Sequence, residues 1–138
     1  MATTNHGRRA RVAALQTLYE WDVAGHSLQE CLERQLSERV DEEEVATFTR
    51  QLVNGVADNL EPIDAAISEA ARNRPLDQMG AIERNVLRLA VYELRHSKAT
   101  RIGTVVNEAV ELVRTYGSES SGRFVKGVLS AISLMAAH

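Results

Sequence analysis

One segment, residues 81–95, is apolar around most of a helical turn, as expected of a helix at the centre of a bundle. Its apolar residues are Ile82, Val86, Leu87, Leu89, Ala90, Val91 and Leu94. The polar residues that align at helical spacing form one narrow strip of Arg84, Arg88, Tyr92 and Arg95. Such a helix is stable in water only when other helices cover it, so the segment indicates a helical bundle.

The rest of the chain has the same helical periodicity. Only two prolines occur in 138 residues, and β-branched residues do not alternate with polar ones. We predict an all-α fold of about seven helices in two small packed subbundles, divided at Arg74-Pro75. Residues 1–7 are predicted to be a flexible tail, and residues 8–138 a single all-helical domain.

Several helix boundaries follow from local signals. Residues 8–24 are predicted to form the first helix, and Ser27 is expected to cap the second. Asp41 and Glu44 have capping-box spacing for the third. Residues 102–116 are predicted to form the sixth helix, and a polar loop over residues 118–122 to precede the last.

Composition and spacing give no indication of catalysis. Cys31 is the single cysteine, and none of the four histidines lies at metal-ligand helical spacing from another histidine or from this cysteine. We therefore expect no enzyme activity, no cofactor and no metal site. No apolar run approaches the ~20 residues of a membrane span, so we expect a cytoplasmic protein without a membrane partner.

Positive charge is concentrated at the start of the chain. The net charge is −3, yet residues 1–11 contain three arginines and no acidic residue. Each exposed cation at a helix N-terminus costs about 0.3–1 kcal/mol, so the cluster suggests that an anion binds there. Arg123 and Lys126 would extend it if the first and last helices begin side by side. From charge alone, a merely solvated helix start is an equal alternative.

Four blocks of sequence, in order and spacing, resemble the NusB family of bacterial transcription antitermination factors. They are RRAR at 8–11 with ALQTLY at 14–19, LD at 76–77 with IERNVLRLAVYEL at 82–94, VNEAVEL at 106–112 with YG at 116–117, and FVKGVL at 124–129. The resemblance implies a factor that binds boxA RNA of ribosomal RNA transcripts together with NusE, a small-subunit ribosomal protein. Other Nus factors and RNA polymerase would be indirect partners. The free protein would be a monomer or a homodimer.

The resemblance also implies two surfaces. The RNA-binding residues would be Arg8, Arg9, Arg11, Gln16, Ser120, Ser121, Arg123, Phe124 and Lys126. The NusE-binding residues would be Glu83, Arg84, Leu87, Arg88 and Tyr92. Three of these five belong to the polar strip of the central helix.

The chain departs from the family pattern at three positions. Gly7 stands where a third arginine is frequent, Lys126 replaces an asparagine, and Ser120 stands where an acidic residue is common. The last two changes add positive charge or remove negative charge. They either offset the missing arginine or shift recognition toward less specific phosphate contact.

Two other functions remain open from sequence. NusB-like domains also begin a family of RNA cytosine methyltransferases, but we expect no such enzyme here because the chain ends at His138. The chain would otherwise be a protein-interaction module that does not bind RNA.

Overall fold

Seven α-helices and one short 3-10 turn make up the described chain. The structure is a computed structural model that describes residues 5–97 and 100–136. The helices are α1 (Asn5–Ala24), α2 (Leu28–Arg39), α3 (Glu43–Asp58), α4 (Leu60–Ala70), α5 (Ala81–His96), α6 (Ile102–Tyr116) and α7 (Glu119–Ala136), with the 3-10 turn at Leu76–Gln78. The predicted all-α fold is confirmed.

Helix α5 lies at the centre of the molecule, as its sequence predicts. Helices α1, α3, α4, α6 and α7 all pack against it. Val86, Leu87 and Val91 on α5 are completely buried. A single continuous hydrophobic core surrounds this helix and includes residues from all seven helices.

The helices form two subbundles that share α5, but the division falls earlier in the chain than predicted. Helices α1, α2 and α3 pack on one another, whereas α4 packs on α5 and α7. Asn59 ends α3 and begins α4, so the chain turns there within one residue. The buried residues Ile63 and Ile67 lie on the inner face of α4, which belongs to the second subbundle with α5 and α7. Arg74-Pro75 is therefore only a connection inside the second subbundle.

The first helix begins earlier than predicted, at Asn5. The prediction of a flexible tail is therefore wrong for residues 5–7, and residues 1–4 lie outside the described chain. At the other end of α1, Gly25 adopts a φ of 72°, a left-handed conformation that glycine accepts readily. Ser27 then caps α2 as predicted, since its Oγ accepts a hydrogen bond from the Glu30 backbone N–H at 3.4 Å.

Two other helix starts differ from the predictions. The predicted Asp41–Glu44 capping box is wrong, because Glu42 occupies the cap position of α3 and makes no capping bond. The Glu42 carboxylate binds Arg9 and His6 instead. Helix α7 begins at Glu119, so Ser120 and Ser121 lie in its first turn rather than in a loop. Ser118 caps this turn by accepting a hydrogen bond from the Ser121 N–H at 3.1 Å.

Among the residues that the structure describes, no helix combines the length and apolar character needed to cross a bilayer.

Candidate nucleic-acid interface

Arg8 and Arg9 form an exposed basic edge in the first turns of α1. The Arg8 side chain is 59% exposed and donates two hydrogen bonds to Glu108 on α6, from Nε at 3.3 Å and from Nη2 at 2.9 Å. These bonds raise the pKa of Arg8 above its ordinary value. Because a guanidinium has five N–H donors, this pairing orients Arg8 and leaves N–H groups for a phosphate.

Arg9 is held by acidic residues that precede α3. Its guanidinium binds the Glu42 carboxylate and also lies 3.4 Å from Asp41 Oδ1. His6 Nε2 contacts the same Glu42 carboxylate at 2.9 Å. The hydrogen bond from Arg9 holds the pKa of Glu42 below its ordinary value. A phosphate that binds Arg9 must therefore compete with an ionised carboxylate.

Arg11 does not belong to this exposed edge. Its side chain is 2% exposed and donates hydrogen bonds to Glu93 on α5, which is equally buried, at 2.8 and 2.7 Å. The guanidinium also lies 5.5 Å from the centre of the Phe48 ring. Assigning Arg11 to the RNA surface is therefore wrong for the folded chain, where this arginine joins α1 to α5.

Gln16 remains on the same side of α1 as Arg9. It follows Arg9 by seven residues, which is about two helical turns, and its side chain is half-buried. A molecule bound along the basic edge can thus extend toward Gln16.

A second group, which we call the α7 junction, consists of Arg74, Glu83, Ser121 and Phe124. Glu83 accepts hydrogen bonds from Arg74 Nη1 at 3.1 Å and from Ser121 Oγ at 2.5 Å. The Arg74 guanidinium lies 4.0 Å from the centre of the Phe124 ring, so it covers one face of that half-buried ring. The junction ties the chain before α5 to the first turn of α7. Arg74 thereby occupies the ring face on which a base would otherwise stack.

Of the other predicted residues on α7, Ser120, Arg123 and Lys126 are exposed, whereas Ser121 is buried by its bond to Glu83. The exposed side chains are accessible to a ligand without a change in structure.

The basic edge and the α7 junction do not adjoin. Helix α1 runs antiparallel to α5, since Arg11 meets Glu93 and Asp22 meets Arg84. Ser121 instead meets Glu83, ten residues before Glu93 and hence about 15 Å away along the α5 axis. Because Arg11 is buried, at most four members of the strip of five cations considered from sequence are accessible. An RNA that contacts both the basic edge and the α7 junction must extend along α5.

The polar strip of α5 is largely an internal ion-pair network. Arg88 is almost buried and binds both carboxylate oxygens of Asp64 at 2.9 Å, while Arg84 Nε binds Asp22 at 2.8 Å. Burial alone would raise the pKa of Asp22, but hydrogen bonds from Arg84 and Asn85 outweigh burial and lower it. The strip therefore joins α1 and α4 to α5, and Arg88 is not available to a partner.

The remaining NusE-binding residues are separated from one another. Leu87 is 0% exposed and belongs to the core, so its assignment to a partner surface is wrong for the folded chain. Tyr92 packs against Gly55, where a Cβ atom would lie only 2.2 Å from the tyrosine ring. Its ring also stacks on His96 with 4.8 Å between the ring centres, and it lines an open cavity of about 910 Å³ between α1, α3 and the end of α5. Glu83 lies nine residues away at the opposite end of α5.

Sequence reasoning missed the acidic partners of the basic residues. Glu42, Glu108 and Asp22 each bind an arginine from a different part of the chain. It also missed Arg74, which was recognised only as the residue before Pro75. No local pattern identifies the arginine partners of Glu42, Glu108 and Asp22, because each arginine is 33 or more residues away from its carboxylate.

Comparison with known proteins gives consistent matches. The model of the NusB family matches residues 8–133. A transcription antitermination protein NusB from Dehalococcoides mccartyi is 42% identical over 130 residues, which cover 94% of this chain and 91% of that protein. Its counterpart from Anaeromyxobacter dehalogenans is 44% identical over 131 residues, covering 94% and 92%.

Solved structures also match along almost the whole chain. The T. maritima NusB structure has a TM-score of 0.83 at 36% identity, covering 91% of this chain and 88% of that one. A chain in the crystal structure of antitermination factors NusB and NusE in complex with dsRNA has a TM-score of 0.87 at 34% identity, covering 94% and 96%.

Proposed function

This chain belongs to the NusB family, and we propose that it is a transcription antitermination factor that binds RNA together with NusE. The observation that carries the proposal is the likeness over 94% of the chain to a protein in a complex of NusB and NusE with dsRNA. In this proposal the RNA is the boxA element of ribosomal RNA transcripts. NusE connects the chain indirectly to other Nus factors and RNA polymerase, and no catalytic step takes place on it.

The basic edge supports RNA binding through phosphate contacts. Arg8 and Arg9 lie at a helix N-terminus, where backbone N–H groups and the helix dipole favour an anion. We assign base recognition to Gln16 and Ser120, and further phosphate contacts to the exposed residues Arg123 and Lys126 of α7. Single-stranded RNA exposes base edges that such polar groups can recognise.

The need for NusE follows from the charges around the basic edge. The chain carries a net charge of −3, and both arginines are already paired with carboxylates. RNA affinity depends mainly on phosphate neutralisation, so the chain alone should bind weakly. NusE would supply the additional contact area. Of the residues that the resemblance assigns to NusE, Leu87 and Arg88 are buried, so we assign its contact to the partly exposed Glu83, Arg84 and Tyr92.

The test is a titration of boxA RNA with the full chain at several salt concentrations, with and without purified NusE. Replacing Arg8 and Arg9 by Ala should weaken binding and flatten the dependence of log K on log salt by about one to two units. Arg39→Ala is the matched control, because Arg39 is an exposed arginine at the end of α2. A salt slope that stays unchanged in the double variant would contradict phosphate binding by the basic edge.

One observation favours a second function, a protein-interaction module that does not bind RNA. Glu42, Asp41 and Glu108 offset much of the positive charge of the basic edge. In that case NusE would bind the chain, but no boxA RNA would shift on a gel with the chain and NusE together.

A further inference from the structure

Three side chains with different donor atoms meet where α1 turns into α2. Glu20 lies in the last turns of α1, His26 in the connection, and Cys31 in α2. The carboxylate, imidazole and thiol donor atoms all lie within 4.8 Å of one another. His26 Nδ1 is 3.1 Å from Glu20 Oε2. The spacings of six and five residues do not align these residues on one helix, so only the turn brings them together.

We propose that Glu20, His26 and Cys31 bind a divalent transition-metal ion of the zinc class, with water as the fourth ligand. Zinc accepts carboxylate oxygen, imidazole nitrogen and thiolate sulfur in tetrahedral geometry. Magnesium and calcium prefer all-oxygen sites, so a donor set with nitrogen and sulfur selects against them. In a tetrahedral site with bonds of about 2.0–2.3 Å, the donor atoms lie roughly 3.5 Å apart. His26 and Glu20 already lie within this distance at 3.1 Å, so only the more distant donor pairs, which lie within 4.8 Å, need to close, by about 1.3 Å at most.

The local backbone permits this closure. Gly25 makes the turn with a φ of 72° and has no heavy atom near its Cβ direction, and Ser27 fixes the start of α2. His26 is 58% exposed and can reorient, whereas Cys31 is fully buried and fixed. The mobile ligand can thus move to the fixed one without disturbing the helices.

Arg34 competes with the ion for Glu20. Its guanidinium contacts the same carboxylate oxygen that His26 contacts, and both partners of this ion pair are partly exposed. A bound divalent ion would displace one positive charge and supply two, so the carboxylate keeps a cationic partner. Removing Arg34 should therefore strengthen metal binding, which distinguishes a ligand site from a group that only stabilises the turn.

Cys31 would bind as the thiolate. The thiol proton is released to solvent when the ion binds. Glu20 would supply a carboxylate oxygen and His26 its Nδ1 lone pair.

The experiment is a titration of the full chain, stripped of metal with a chelator, with Co²⁺ followed by absorption spectroscopy. A sulfur-to-cobalt charge-transfer band that saturates at one equivalent and is bleached by Zn²⁺ is expected. Cys31→Ser should abolish this band, because no other thiol is present in the sequence. His26→Gln and Glu20→Gln should each weaken Co²⁺ binding about tenfold or more.

Two further variants separate this site from adventitious binding. His6→Gln is the matched control, since it removes a part-exposed histidine at the other end of α1 and should leave Co²⁺ binding unchanged. Arg34→Gln should tighten binding about two- to fivefold, the range of an exposed ion pair. Circular dichroism of every variant without metal checks that the helices are intact. The proposal is overturned if no thiolate band appears, if the band survives Cys31→Ser, or if Arg34→Gln weakens binding in a folded protein.

Discussion

Arg11 and Glu93 form a buried ion pair that joins the first helix to the central helix across 82 residues of sequence. Each side chain is 2% exposed, and two hydrogen bonds of 2.8 and 2.7 Å connect them. A guanidinium in this position belongs to the core. The arginine cluster at the start of the chain thus has two roles. Arg8 and Arg9 form the exposed basic edge, whereas Arg11 lies in the core.

Glu93→Gln should destabilise the fold by about 3–5 kcal/mol, because it removes the buried negative charge that pairs with the Arg11 guanidinium. The double variant Arg11→Met/Glu93→Leu should cost less than either single change, since it removes both charges and keeps apolar volume. Urea unfolding measures both. Arg50→Ala, which breaks the exposed pair with Glu33, is the control and should cost at most about 1 kcal/mol. If the double variant loses as much free energy of unfolding as Arg11→Met and Glu93→Leu lose together, this account is contradicted.

The same double variant tests whether Arg11 contacts RNA. If Arg11 acts only in the core, the folded double variant should bind boxA RNA with the affinity and salt slope of the original chain. A slope reduced by about one unit would instead return Arg11 to the RNA surface.

Asp22 should make stability depend on pH below about 4. Its pKa is lowered in the folded chain from the ordinary value of 3.8, because hydrogen bonds from Arg84 and Asn85 outweigh burial. Its ionised form therefore stabilises the fold above the unfolded pKa, and this contribution disappears as the pH falls through the lower folded pKa.

The measurement is urea unfolding of the original chain and of Asp22→Asn from about pH 7 to pH 2.5. The difference between them should be constant above about pH 5 and should shrink as the pH falls below about 4. Asp77→Asn, at an exposed aspartate of the 3-10 turn, is the control for the loss of one carboxylate. A difference that grows toward low pH would have the wrong sign.

Glu42→Gln should tighten RNA binding. The substitution releases Arg9 and His6 from a competing carboxylate and removes one negative charge beside the basic edge. We expect a gain of about two- to fivefold at low salt, the scale of an exposed ion pair. Fluorescence anisotropy with boxA RNA and NusE measures the gain.

The gain should disappear in an Arg9→Ala background, because its source would be the released guanidinium. Glu33→Gln, which removes an exposed carboxylate from α2, serves as the charge-matched control. If Glu33→Gln gives the same gain, the effect is one of net charge and not of Arg9.

Glu83 and Ser121 should be energetically coupled. The Ser121 hydroxyl donates to a carboxylate that also accepts from Arg74, and the pair joins α5 to the first turn of α7. A double-mutant cycle with Glu83→Gln and Ser121→Ala should give a coupling energy of about 1–3 kcal/mol in urea unfolding. A cycle that pairs Ser121→Ala with Asp77→Asn should be additive. If the first pair is additive as well, the hydrogen bond between Glu83 and Ser121 does not contribute measurably to the free energy of unfolding.

The all-helical architecture was predictable because apolar residues recur at helical spacing within each segment of the sequence. The apolar circumference of α5 identified the central helix, and the bounds of α6 were predicted to the residue. The boundary between the subbundles was predicted at the wrong place. In the sequence, Pro75 is a stronger helix-breaking signal than Asn59, but in the folded chain the two subbundles separate at Asn59. Local signals therefore specify helices better than they specify which helices pack together.

The functional surface was predictable only in part, because exposure depends on partners that are distant in sequence. Arg11 lies one turn before Leu15 and two before Leu18 on the buried face of α1, a position that signals burial. Without Glu93 in view, an arginine there still suggests a surface. Arg88 was also predicted to be on a binding surface but is buried, because its partners Asp22 and Asp64 come from α1 and α4.

The central position of α5 has a consequence for synthesis of the protein. Helices α1 and α3 bury their inner faces against a helix that ends at His96, 38 residues after α3 ends at Asp58. At about 5–20 residues per second, the ribosome makes this helix roughly 2–8 s after the first three are complete. During that interval the nascent chain carries Arg11 without Glu93 and an uncovered apolar surface. The first subbundle can therefore reach its final packing only after most of the chain has left the ribosome.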